Sequence, residues 1–274
     1  MAAIERSFDT SGPLALVLKV SAGEVDLETA GGDGAHVEVE PLNDAARDLL
    51  DEVRVELRGH ELEIEAPGRR SVFGFRSPEF RVAVRMPDGS DVRVKVVSAD
   101  VEARGRYGKV ELQAASGDFR LEGDVDQAQV HTASGDLSLE SVSGDARVHS
   151  ASGDVRFGHV GGAVSAHLAS GDLTVDHADG SVEARSASGD LTVGSVAAGS
   201  ASLTSASGDI VVGIRRGSRV WIDAESASGS TSSDLDLSDD APSGDEDDGP
   251  LVEIRARSAS GDIRIVRAGA AKPS

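Results

Sequence analysis

One tetrapeptide constrains this chain more than any other feature. Ala-Ser-Gly-Asp stands at Ala115–Asp118, Ala133–Asp136, Ala151–Asp154, Ala169–Asp172, Ala187–Asp190 and Ala206–Asp209. A further copy occupies Ala259–Asp262, and a degenerate Ala-Ser-Gly-Ser occupies Ala227–Ser230. Gly117, Gly135, Gly153, Gly171 and Gly189 follow one another at intervals of 18 residues. Self-similarity at a fixed period is the mark of a repeat architecture, in which each unit buries its apolar side only against its neighbours.

Each repeat carries two strand-like runs. Apolar residues alternate after every Gly-Asp: Val155 and Phe157, Leu173 and Val175, Leu191 and Val193, Ile210 and Val212. Val142, Val160 and Val196 add a third apolar position. A weaker turn at Gly108, Gly144, Gly162, Gly180 and Gly199 precedes a second alternating pair, such as Ala146 and Val148 or Val182 and Ala184. Alternation of period two in short runs bounded by Gly and Ser indicates strands, not helices. The column Phe119, Leu137, Val155, Leu173, Leu191, Ile210 then lies inside a stack of coils roughly 4.8 Å apart. The spacing predicts an all-β, single-stranded β-solenoid of about 18 residues per coil. Glycine is expected to supply a positive φ at each corner. The alanine before it is expected to pack inward, and the aspartate after it to accept a local backbone N–H.

The 274 residues carry a formal charge of −21, which argues against nucleic acid or an anionic membrane as partner. Without cysteine there is no disulfide and no thiolate metal site, and no compartment is selected. The apolar run Leu14–Val20 is short and interrupted by Lys19. It does not read as a signal peptide, no segment reads as a membrane span, and the expected location is cytoplasmic without membrane insertion.

Along the chain, residues 1–97 read as an irregular β region that caps the stack. Strands are expected at Leu14–Val20, Val25–Thr29 and His36–Glu40, and a short helix at Asn43–Asp51 capped by Asn43 or Asp44. A hairpin is expected across Arg58-Gly59-His60, a basic loop at Arg69–Ser77, and strands at Phe80–Met86 and Asp91–Val97. Residues 98–266 read as the solenoid, with an acidic loop insertion at 231–249 and a flexible tail at 267–274. The stretch from Ser230 to Gly249 holds eight acidic residues and no basic one. Leu251–Arg257 and Ile263–Val266 are expected to close the stack.

The repeated Ser-Ala-Ser-Gly-Asp followed by an aliphatic strand resembles a bacterial family of β-strand-repeat proteins of unknown function, labelled "putative adhesin". So do Met86–Val94 (MPDGSDVRV) and Arg257–Ile265 (RSASGDIRI). The resemblance covers essentially the whole chain. It implies a right-handed β-helix-like solenoid that binds an unknown protein or surface, and it brings no catalytic residues with it.

Two columns of side chains are candidates for binding. His131, His149 and His167 are 18 residues apart and share a column with Gln113, Arg185 and Thr204, so they are expected on a solvent-facing surface. Asp118, Asp136, Asp154, Asp172, Asp190 and Asp209 form a second column. Its alternative reading is a Ca²⁺-like metal ladder, but the paired glycines of calcium-binding nonapeptide repeats are missing. A charge-assisted hydrogen bond to backbone N–H, worth roughly 1.5–3 kcal/mol, outweighs a repulsion of roughly 1 kcal/mol between neighbouring carboxylates in water. A turn-forming role is therefore expected. A polysaccharide-active enzyme needs a unique acid/base set, and here each Asp is a copy of its neighbours. Tyr107 and Trp221 are the aromatics available for stacking on sugar, and Trp221 is expected to pack inward. The expected protein is not an enzyme and has no cofactor.

Overall fold

Strand alternation dictates the structure almost throughout. The computed structural model describes residues 3–68, 77–235 and 250–268. The chain is a β-solenoid whose contacts fall into two units, residues 1–141 and 142–274. No helix among the described residues is long and apolar enough to cross a membrane.

The first unit contains β1 (Ile4–Phe8), β2 (Ala15–Ala30), β3 (Ala35–Pro41), helix α1 (Asp44–Arg47), β4 (Arg54–Arg58), β5 (Glu61–Glu65), β6 (Phe80–Pro87), β7 (Ser90–Ser116), β8 (Phe119–Ser134) and β9 (Leu137–Val142). β2 is its centre. One edge of β2 pairs in parallel with β5 and then β6, and the other pairs with β7 from Ala15↔Asp91 to Glu28↔Arg104. β7 continues in parallel with β8 from Val101↔Phe119 to Ala114↔Thr132. Leu16 and Leu18 of β2 and Val92 and Val94 of β7 turn inward and are buried. The expected divide at residue 97 falls inside β7, which runs unbroken because its register with β2 holds across that point.

The outer strands of this unit are antiparallel: β3 against β6 and β1, and β4 against β5. The expected hairpin is therefore present. The expected helix is shorter than its sequence signal and is followed by a 3-10 turn at Leu50–Glu52. Asn43 caps it, its side-chain oxygen accepting from the Ala46 N–H at 2.9 Å. Ala46, Leu49 and Leu50 are buried. Most of the basic stretch expected at Arg69–Ser77 lies outside the described residues.

The second unit contains β10 (Ala146–Ser152), β11 (Val155–Val160), β12 (Val164–Ser170), β13 (Leu173–Ala178), β14 (Val182–Ser188), β15 (Leu191–Val196), β16 (Gly199–Ser207), β17 (Ile210–Ile214), β18 (Arg219–Ser226), β19 (Thr231–Ser233), β20 (Leu251–Ser260) and β21 (Ile263–Arg267). Each repeat contributes two strands that pair in parallel with their equivalents one coil away. Val155, Leu173, Leu191, Ile210 and Ile263 form one continuous inner column, all at most 1% exposed. Burying one such side chain stabilises the fold by roughly 1.5–3 kcal/mol, and the stack repeats the gain on every coil.

The corners follow from backbone approach. At Gly189 φ is +129°, and a Cβ would stand 2.1 Å from the Gly171 carbonyl oxygen. The alanine before each corner does not pack inward as expected: Ala151, Ala169, Ala187 and Ala206 are exposed. The residue one position earlier turns in instead. Ser150, Ser186, Ser205 and Ser258 are buried, and Leu168 takes the same place in its coil. Strand alternation requires this, since Val148 and Ser150 share a face and Ala151 does not. The Ser205 and Ser258 hydroxyls donate to the Gly189 and Gly208 carbonyls at 3.3 and 3.2 Å.

The stacking order departs from the chain order at one end. β20 and β21 pair with β16 and β17 on one side and with β18 and β19 on the other. Among the described residues the last coil in sequence is therefore the penultimate coil in space, and β18 and β19 form the outermost one. The expectation that Leu251–Val266 closes the stack is corrected accordingly. Val252, Ile254 and Ala256 of β20 are fully buried, with β16 on one side and β18 on the other. Within the acidic stretch, Thr231–Ser233 is strand β19 and Leu235 is buried, while residues 236–249 lie outside the described residues.

Candidate functional site

The aspartate column is an internal fastening between coils. In the first unit the Asp118 N–H donates to Oδ1 of Asp100, and the Asp136 N–H to Oδ1 of Asp118, both at 2.9 Å. In the second unit the N–H groups of Asp172, Asp190, Asp209 and Asp262 donate to Oδ1 of Asp154, Asp172, Asp190 and Asp209 at 2.8–2.9 Å. Asp262 ends the series and accepts from the Ser230 N–H and hydroxyl, each at 2.9 Å. These two hydrogen bonds hold its carboxyl below the ordinary range. The bonds run from coil to coil, so the local turn expected from sequence is replaced by an interstrand one. The reason is the parallel register, which sets each Asp N–H beside the preceding carboxylate. Among the described residues no three His, Asp or Glu side chains converge in a way that could hold a metal ion.

The histidine column lies on the strand face opposite the core. His149 and His167 are paired in register, with ring centroids 4.9 Å apart and planes tilted by 38°. His167 continues to Arg185, whose guanidinium nitrogen is 3.5 Å from Nε2. His131, in the first unit, is in register with Gln113, and its Nε2 is 3.1 Å from the Gln129 side-chain nitrogen. Sequence reasoning overlooked a second histidine pair, His159 and His177, in register on β11 and β13. They line an open depression with Arg156, Gly158, Asp176 and Gly194. Arg156 and His159 are already paired there, to Asp176 at 2.6 Å and Asp179 at 2.9 Å. The signal that could have revealed this pair is the same 18-residue interval.

Neither aromatic stands where the sequence reading put it. Tyr107 is buried, its hydroxyl within hydrogen-bond distance of the carbonyl oxygens of Leu27 and Arg104, at 3.0 and 3.1 Å, and burial pushes its phenol well above the usual value. It is not available to a ligand. Trp221 is 48% exposed, with the Arg255 guanidinium 5.5 Å from its ring centroid. Strand alternation turns Val220 and Ile222 inward and Trp221 outward.

A family model described as Toastrack DUF4097 matches residues 15–266. No curated protein matches the chain. Among solved structures, a putative adhesin from Bacteroides fragilis NCTC 9343 is similar at 14% identity and a TM-score of 0.43, with 96% of this chain and 97% of that chain covered. A putative adhesin from Parabacteroides distasonis ATCC 8503 is similar at 11% identity and a TM-score of 0.42, with the same coverage. A putative lipid binding protein from the same organism is similar at 15% identity and a TM-score of 0.42, with 97% of each chain covered.

Proposed function

This chain belongs to the Toastrack DUF4097 family, and we propose that it works as a non-catalytic β-solenoid scaffold that holds a macromolecular partner on its outer faces. One observation carries the reading: the repeated acidic side chain, the Asp of the corners, bonds one coil to the next. Side chains used identically on every coil build a surface rather than a reaction centre, because acid/base chemistry needs two groups in distinct environments. The outward columns that remain, His149–His167–Arg185 and Arg156–Thr174–Thr192, face away from the core and form the recognition surface of this reading.

The test has two parts. Wild-type chain and a His149→Ala/His167→Ala/Arg185→Ala variant are used as bait in a native lysate. The reading expects one discrete partner that the variant retains less well. The same preparations are melted with EDTA and with added Ca²⁺. At constant ionic strength, unchanged melting agrees with a scaffold held by its own hydrogen bonds. A rise of several degrees with Ca²⁺ alone, reversed by EDTA, would replace the scaffold reading with a cation-binding solenoid.

A further inference from the structure

The outermost coil of the second unit differs from every coil beneath it. Val252, Ile254 and Ala256 of β20 are fully buried, whereas Val220, Ile222 and Ala224, at the same register in β18, are only half-buried. Among the described residues, the edge of β18 away from β20 pairs with no strand. Two of the four large apolar side chains exposed among those residues stand here, Trp221 and Leu251, on the outward face of β18 and β20. An unpaired edge is a template for another strand, and an exposed Trp beside a half-covered core is typical of a contact surface.

We propose that this end is an interface between two copies of the chain, formed by antiparallel pairing of β18 with β18 of the second copy about a two-fold axis at Ile222. The occupant is argued from the strand's own sequence, Arg219-Val-Trp-Ile-Asp-Ala-Glu-Ser226. Centred on Ile222, the strand is self-complementary: Arg219 lies opposite Glu225, Val220 opposite Ala224 and Trp221 opposite Asp223. Inward residues meet inward residues, so the two half-covered columns complete one another. Moving the centre to Asp223 keeps the overlap but sets Asp223 against itself, and like charges directly opposite are unfavourable. A register one residue out of phase would set inward residues against outward ones. The two-fold closes the contact, as isologous interfaces do, and leaves neither edge open. Glu225 is held in place by Arg257 at 2.7 Å.

The inference goes beyond the scaffold reading, and a monomeric chain would leave that reading untouched. The experiment is sedimentation of the full chain, with circular dichroism to confirm that each variant is folded. Wild type is expected to dimerise at about 100 μM or below. Arg219→Glu sets Glu against Glu225, and Glu225→Arg sets Arg against Arg219. Each variant alone is expected to weaken the dimer about tenfold or more. An equimolar mixture restores both opposite-charge pairs and is expected to recover the dimer. A wild-type monomer at that concentration would overturn the proposal and assign the edge to another strand or partner. A dimer indifferent to both substitutions, or a mixture without recovery, would overturn it too, because the contact would lie elsewhere.

Discussion

At the scale of single residues, the fold rests on what each corner excludes. Gly189 combines a φ of +129° with a Cβ position 2.1 Å from a neighbouring carbonyl oxygen, so Gly189→Ala must both strain the backbone and push a coil aside. Gly217 has a φ of +83° with nothing within 4 Å of a Cβ, so Gly217→Ala strains the backbone alone. Denaturant unfolding should show a loss of about 1 kcal/mol for Gly217→Ala and of about 3 kcal/mol or more for Gly189→Ala. Equal losses would mean that the corners are not in contact. Asp154→Ala removes the acceptor of the Asp172 N–H on an exposed corner. The expected cost is about 1 kcal/mol, the same with and without EDTA, and Asp154→Asn should recover part of it. Asp262 adds a pH dependence. Its carboxyl titrates below the ordinary range in the folded chain, so its contribution is complete above the unfolded value and disappears as pH falls through the folded one. Replacing Ser230 by Ala removes the hydroxyl donor, and NMR titration should then find the Asp262 carboxyl closer to the ordinary range.

At the scale of elements, the order of coils can be tested by two isoleucines at one register. Ile254 lies between Ala201 of β16 and Ile222 of β18 and is fully buried, while Ile222 is half-buried on the outermost coil. Ile254→Ala should cost about 3 kcal/mol and Ile222→Ala about 1 kcal/mol in denaturant unfolding. The reverse ranking would restore the chain order that the sequence suggests. That order was not legible because the 18-residue period identifies what a coil contains and not which coil it meets. The degenerate copy at Ala227–Ser230 and the 32-residue step from Gly229 to Gly261 marked the place without indicating the exchange. The inner columns were legible, since Val155, Leu173, Leu191 and Ile210 repeat without exception. The inward serine was not, because hydrophobicity patterns pass over a hydroxyl whose partner is a glycine carbonyl one coil away. The aspartate corners were legible as hydrogen-bonding positions, but their partners were not, because parallel register joins residues 18 apart.

At the scale of the whole molecule, the formal charge of −21 sets the terms. The ion pairs that could offset it are exposed, among them Arg156–Asp176, Arg185–Glu183 and Arg257–Glu225. Pairs of this kind each contribute about 0–1 kcal/mol and are screened by salt. Acidic groups outnumber basic ones by 21, and stacking repeats the corner aspartates at one position on successive coils. Self-repulsion therefore opposes the compact state, and screening should relieve it. Because the Debye length falls from about 30 Å at 0.01 M to about 8 Å at 0.15 M salt, most of that relief should be complete by physiological ionic strength. The melting temperature is expected to rise by a few degrees over that range of NaCl and to change little beyond it. CaCl₂ and MgCl₂ at matched ionic strength should give much the same rise, since screening depends on ionic strength and the carboxylates of Asp118, Asp154, Asp172, Asp190 and Asp209 are already engaged by a backbone N–H. A larger rise with Ca²⁺ than with Mg²⁺ at equal ionic strength would require a site that selects by size and ligand number, and screening of the excess charge could not then account for it.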